Sequence, residues 1–378
     1  MTGRAQIGYV SASVEGARQR KMKSVYRRFG VLRFVLAMMV VVSHGLPASG
    51  FDGFLARLGV GSVAVMGFFV LSGFIITEAI DVYYRDRPLA FIANRMLRIL
   101  PPYWLALALS LLVHALLQWG GILSIQGEQP ADIFSPRNLI ANALAVIPLQ
   151  GAIGVFDPAR FYGFVRYYWA VLVEVEFYLV AFAIMIAGRL LTKRRADIAA
   201  ACFSALLAGH VVSDYVVPIR PELTYVPYFA LGVSLYAWRS GYRLALLGVI
   251  ASAIATFVAF ARYINQMKPL SALAALDDWT ITGTNLLLMA LACLAIYWLS
   301  DTATTGAARR VDRWFGDLSY PIYLNHYTVL TLVFSLALAP WPSFALIAAG
   351  SVLVAWLAVA AIEHPLRRLR DAVRGQAL

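Results

Sequence analysis

The residues that could do chemistry sit in apolar surroundings. Arg33 and His44 share one stretch, VLRFVLAMMVVVSHGLPA at 31–48, apolar and long enough to cross a bilayer. In a helix, eleven positions put them roughly 16 Å apart on nearly the same face. Ionisable groups inside a span are costly and are read as functional by default. An imidazole with an ordinary pKa of about 6.5 is the natural general base or acid at neutral pH. The guanidinium stays protonated, so its work is to bind or stabilise negative charge. Taken singly, His44 reads as a polar group satisfied by a carbonyl, and Arg33 as one snorkelling to the inner interface. Two on one stripe favour the functional reading.

Three further stretches carry polar groups at helical spacing. In FIANRMLRILPPYW at 91–104, Arg95 and Arg98 are neighbours on one face, and paired guanidinium forks suit phosphates as well as they suit plain topological charge. Pro101-Pro102 is expected to set the start of the following span. In YYWAVLVEVEFYLVAF at 167–182, Glu174 and Glu176 point about 200° apart, which excludes a carboxylate pair sharing one proton. In LSYPIYLNHYTVL at 318–330, Ser319, Tyr320, Tyr323, Asn325 and His326 open another span. His114 and His210 stand alone on apolar faces and read as structural. No His, Cys, Asp and Glu set has metal-ligand spacing, and no nucleophile elbow is present. Gly59-Val60-Gly61-Ser62-Val63-Ala64 imitates a dinucleotide fingerprint, but it follows no strand and opens a span.

The elements that must hold these groups are membrane helices. Of 378 residues, 61% are hydrophobic and 14% charged, and apolar runs of helix-spanning length recur throughout. The expected architecture is all-α, a polytopic transmembrane bundle with spans near 31–48, 59–79, 101–119, 167–188, 197–213, 223–238, 243–262, 282–299, 319–338 and 343–362. With the N-terminus in the cytoplasm, 24 of the 32 Lys and Arg fall in inner segments, seven in outer ones and Arg33 in the membrane. That asymmetry puts both termini in the cytoplasm. An eleventh span at 137–152 would reverse every later segment, so that stretch is expected to be interfacial or re-entrant. The net charge of +12 is thereby topological, and no nucleic-acid partner is implied. The divisions are a basic segment at 1–30, a membrane domain at 31–365 and a basic tail at 366–378. The first span is expected to be retained as an anchor. Cys202 and Cys293 lie in apolar runs and suggest no disulfide framework.

The ordered motifs resemble the acyltransferase 3 family, integral-membrane enzymes that acylate surface polysaccharides and related glycans. Arg33 and His44 match its basic residue, ten-residue gap and histidine. Phe68 to Phe74, including Ser72, is similar to its second-span motif. Phe91, Arg95, Arg98, Pro101 and Tyr103 fit the loop that follows. Trp169, Glu174, Phe177 and Tyr178 fit a later pattern. Tyr228 to Gly232, Ser319 to Leu324 with His326, and Glu363 with Pro365 complete the set, over about residues 27–370. Departures are Met66-Gly67 before the Phe pair, Ala170 after Trp169, and Glu176 where Gln is frequent. An added esterase-like domain is not expected.

The resemblance implies transfer from cytoplasmic acyl-CoA, acetyl-CoA most often, to a hydroxyl of an extracytoplasmic or lipid-linked glycan at the bacterial inner membrane. His44, Arg33 and Glu174 become the expected catalytic set, with Arg95, Arg98 and Arg33 holding the donor. Ser72, Trp169, Tyr178, Tyr323 and His326 are the expected substrate-facing or structural polar residues, and no metal is expected. Transfer could be direct or through an acyl-enzyme. By physics alone, a transporter or flippase would suit a polar path of Arg33, His44 and Glu174 equally; the absence of an internal repeat argues against it.

Overall fold

The computed structural model describes residues 26–122, 130–148, 161–190, 224–267 and 277–375. It is helical throughout: α1 (Gly30–Ala48), α2 (Phe54–Leu58), α3 (Gly61–Ala79), α4 (Pro88–Trp119), α5 (Pro130–Ile133), α6 (Pro136–Ala143), α7 (Tyr168–Leu190), α8 (Val226–Arg239), α9 (Ala245–Met267), α10 (Asp277–Leu299), α11 (Gly306–Phe334), α12 (Pro340–Ala358) and α13 (His364–Arg374). Short π-helical turns continue α3 and join α12 to α13. The one β-bridge among the described residues, Arg27 with Ala303, belongs to no strand.

Seven helices among the described residues are long and apolar enough to cross a membrane. The expected span at 197–213, with Cys202 and His210, lies outside the described residues. The one at 223–238 takes the form of the 14-residue α8, about 21 Å long. The one at 319–338 overlaps α11, a 29-residue helix whose first turns are strongly charged.

Two close helix pairs set the frame. α1 and α11 run parallel, with Phe34 edge-on to Phe315 near one end and His44 stacked on His326 further along. Gly30 and Gly316 allow this approach, for a Cβ on Gly316 would lie 2.9 Å from the Gly30 Cα. Asp312, on α11, caps α1: its carboxylate accepts from the Gly30 and Val31 backbone N–H groups at 2.9 and 3.0 Å and from the Tyr26 hydroxyl at 2.9 Å. A carboxylate there satisfies orphan donors and faces the positive end of the helix dipole. Burial, with Asp312 alongside, pushes the Tyr26 phenol well above its ordinary pKa. The second pair is α3 with α8, where Gly73 and Gly232 bring backbone onto backbone, as small residues do between membrane helices.

The charged ends meet. Arg27 pairs with Glu78 at 2.7 Å, Arg87 donates to the Val373 and Arg374 carbonyls at 2.9 and 3.0 Å, and Asn94 donates to the Arg370 carbonyl at 2.7 Å. Residues 26–29, the α3–α4 connection and α13 therefore share one end of the bundle.

One feature of α4 differs from expectation. Pro101 and Pro102 lie inside this 32-residue helix instead of starting it. Proline lacks the N–H groups that would bond the Leu97 and Arg98 carbonyls, a loss membrane helices tolerate when neighbours adjust, and next to them the Tyr320 hydroxyl donates to the Ile99 carbonyl at 3.2 Å. In the described part of the stretch expected not to cross, 137–148, α6 has eight residues, about 12 Å long and too short to span. Its end is tied to mid-α4: the Tyr103 hydroxyl donates to the Asn142 carbonyl at 2.6 Å, and the Trp104 Nε1 donates to the Ala143 carbonyl at 3.0 Å. Those anchors lie about 24 Å along α4 from Trp119. Buried Asn138 and Asn142 hold the returning chain through the Tyr162 N–H and carbonyl and the Phe164 N–H.

Candidate active site

α1, α3, α4, α7 and α11 line a partly open cavity with about 780 Å³ of unfilled space, its solvent-facing mouth included. Arg33, Ser72, Arg95, Arg98, Glu174, Tyr178 and Tyr323 line it, with a wall of Val65, Phe68, Phe69, Leu71, Ile75 and Ile76. Three guanidinium groups thus face one carboxylate. Arg95 is 3% exposed, its Nε finds no hydrogen-bond partner, and its guanidinium lies 5.9 Å from the Phe91 ring centroid. Two carboxylates near this end are already held, Asp317 by Arg367 at 2.7 Å and Glu363 by Arg370. Buried cations without matched anions favour an anionic ligand.

Glu174 is fixed within this wall. The Ser72 hydroxyl donates to its Oε1 at 2.9 Å, and the Tyr178 hydroxyl, one turn along α7, donates to the same oxygen. Glu176 is not among the cavity-lining residues, as its opposite direction on α7 requires.

His44 lies beyond the cavity wall, in an aromatic cluster. Its Nδ1 is 3.1 Å from the Tyr167 hydroxyl, and its ring stacks on Tyr167 and His326 with centroids at 4.3 and 5.5 Å. The Tyr323 hydroxyl donates to the Tyr167 carbonyl at 2.8 Å, and the Tyr323 carbonyl lies 2.7 Å from the His326 Nδ1. Tyr323 also lines the cavity, so one side chain joins the two regions. Trp169 sits outside both, stacked on Tyr225 and edge-on to Phe69.

A family model described as an acyltransferase domain matches residues 26–360, a range that contains the cavity and the histidine cluster. The chain belongs to the acyltransferase 3 family. It is accordingly an acyltransferase and, with its set of spanning helices, a multi-pass membrane protein. The exopolysaccharide production protein ExoZ of Rhizobium meliloti (strain 1021) is 28% identical over 321 residues, covering 82% of this chain and 90% of that protein. No solved structure matches the chain.

Arg33, Arg95, Arg98, Ser72, Glu174, Tyr178 and Tyr323 come together on one cavity, while His44 and His326 meet next to it. His114 is held by the Ser110 carbonyl at 2.8 Å and the Tyr162 hydroxyl at 3.0 Å, beside the returning outer segment. Tyr167 is the residue that motif reading passes over. It lies in the turn just before α7, and its contact with His44, 123 positions away in the chain, leaves no local signal.

Proposed function

We propose that this protein moves an acyl group, acetyl in the first instance, from cytoplasmic acyl-CoA to a hydroxyl of an extracytoplasmic or lipid-linked glycan. The setting is the bacterial inner membrane, with ten spans and both termini in the cytoplasm. The observation that carries the reading is the cavity in which Arg33, Arg95 and Arg98 face the lone carboxylate of Glu174, with His44 just beyond it. Guanidinium forks bind phosphate oxygens in pairs, and an orphaned buried Nε on Arg95 fits a ligand that brings anionic acceptors. The apolar wall from Val65 to Ile76 suits the pantetheine arm and the acyl chain.

Arg95 and Arg98 then hold the CoA phosphates, and Arg33 neutralises the donor further along the arm. Glu174, held by Ser72 and Tyr178, limits the positive charge of the cavity and orients the guanidinium groups. His44 takes the proton of the acceptor hydroxyl as that oxygen attacks the thioester carbonyl. The C–O bond forms, the C–S bond breaks, and the thiolate leaves toward the arginine side, where positive charge favours it. The proton held on His44 returns to solvent. The order of residues along α1, Arg33 near the charged end and His44 deeper, suits a donor and an acceptor that arrive from opposite sides. ExoZ, named for exopolysaccharide production, supports a glycan acceptor.

The test is the ester content of the host's surface glycan with and without the gene. Loss of an O-acyl signal on deletion, restored by the wild-type gene and not by His44→Ala, is the expected result. Unchanged ester content in the deletion strain overturns the proposal.

A further inference from the structure

His326 is a buried titratable group that the reaction above does not use. It is 1% exposed, on α11, and its Nδ1 lies 2.7 Å from the Tyr323 carbonyl. A carbonyl oxygen only accepts, so Nδ1 carries the proton and Nε2 carries the lone pair. That Nε2 is buried and has no hydrogen-bond partner. An unsatisfied buried acceptor costs folding free energy and calls for an explanation. The rings around it are His44 at 5.5 Å, Tyr167 at 5.6 Å, Tyr323 at 6.1 Å and Tyr327 at 6.5 Å. The Tyr323 hydroxyl is already committed to the Tyr167 carbonyl, and the Tyr167 hydroxyl lies on His44. No neighbour in this cluster supplies the missing donor.

We infer that His326 is a specificity-determining residue, whose Nε2 accepts a hydrogen bond from a second donor on the acceptor, on the carbon next to the hydroxyl being acylated. The acceptor class is therefore a ring bearing a vicinal diol. This rests on His44 as the base for the acylated hydroxyl. His44 and His326 are stacked with an interplanar angle of 21°, so two adjacent ring oxygens can each meet one imidazole. The reacting oxygen has a single proton, which goes to His44. The neighbouring hydroxyl keeps its proton and donates it to His326, and no bond to it is made or broken.

The test uses the purified protein, acetyl-CoA and three acceptors: water, cyclohexanol and trans-cyclohexane-1,2-diol. Water reports donor binding and the base alone. The wild-type protein should acylate the diol about tenfold faster than cyclohexanol, the scale of one hydrogen bond. His326→Phe keeps a flat buried ring and removes the acceptor; it should erase that preference, lowering transfer to the diol about tenfold more than transfer to cyclohexanol. His326→Gln, which retains an acceptor oxygen, should restore part of the preference. Equal transfer to the two alcohols by the wild-type protein, including none to either, overturns the inference, as does a preference that survives in His326→Phe. A parallel fall in hydrolysis and transfer also overturns it, because His326 is then only packing for His44. Failure of the base assignment is a separate result: His44→Ala would then hydrolyse acetyl-CoA at the wild-type rate.

Discussion

Replacing Gly232 by Ala should separate α8 from α3 and unseat Glu174. A Cβ at Gly232 would lie 2.0 Å from the Val70 carbonyl oxygen and 2.6 Å from the Phe74 nitrogen. Both are backbone atoms, so no side chain can swing away. Ordinary contact needs about 3.4 Å, and the helices must part by more than 1 Å at the crossing. Overpacking of this kind costs roughly 1–3 kcal/mol where side chains can adjust, and backbone opposition puts Gly232→Ala at the upper end, about 3 kcal/mol or more. The displacement reaches the cavity, because Ser72 sits on α3 next to Gly73 and donates to Glu174 at 2.9 Å. An outward shift of α3 by 1 Å takes that bond past useful length. The assay is thermal unfolding of the detergent-purified protein together with acyl transfer. Gly73→Ala should behave alike, its Cβ falling 2.2 Å from the Phe229 carbonyl oxygen. Gly283→Ala, on α10 with nothing within 4 Å of its Cβ, is the control and should be neutral or slightly stabilising through helix propensity. Wild-type melting and activity in Gly232→Ala would refute the reasoning.

Other consequences can be checked in the same preparation. Asp312→Ala removes three accepted hydrogen bonds at the start of α1 and should cost about 2 kcal/mol, the upper range for a helix cap, seen as a lower melting temperature. Arg95→Leu should raise the acyl-CoA concentration needed for half-maximal rate by at least tenfold, and Arg95→Lys should recover only part of it, since an ammonium lacks the planar fork; titration of acetyl-CoA reads both. Tyr167→Phe keeps the ring stack on His44 and deletes the hydroxyl at 3.1 Å. It should lower kcat about tenfold with little change in KM, measured by steady-state transfer. Asn142→Ala frees the Phe164 N–H and leaves the Tyr162 carbonyl to Asn138 alone, and should speed proteolysis of the 136–164 region in detergent-purified protein.

Much of this was legible before any coordinates. Arg33 and His44 stood out because an apolar run exposes every ionisable residue within it, and the 200° divergence of Glu174 and Glu176 follows from helical pitch alone. By spacing alone Arg95 and Arg98 suit ligand and topology equally; only their convergence with Arg33 on one cavity favours the first. The prolines misled because Pro101-Pro102 is a helix-start signal in water, whereas here neighbouring helices accommodate the altered backbone within α4. The packing of α6 was illegible for a related reason. Asn138 and Asn142 look like loop residues in the sequence, yet they are buried and bind the backbone of Tyr162 and Phe164. Tyr167 could not be singled out among nineteen tyrosines, because its role depends on the turn before α7 reaching His44 on α1, a long-range contact that no local pattern encodes.

The central claim is that His44 activates an acceptor hydroxyl against an acyl-CoA bound by the arginine cavity. Its most direct measurement is thiol release from acetyl-CoA by the purified protein, in the presence of the glycan acceptor, for the wild type and for His44→Ala at equal folded concentration. Glycan-dependent thiol release by the wild type, reduced 10²- to 10⁴-fold by His44→Ala, the range for general base catalysis, is the predicted result. Equal release by the two proteins, or none by either, contradicts the account.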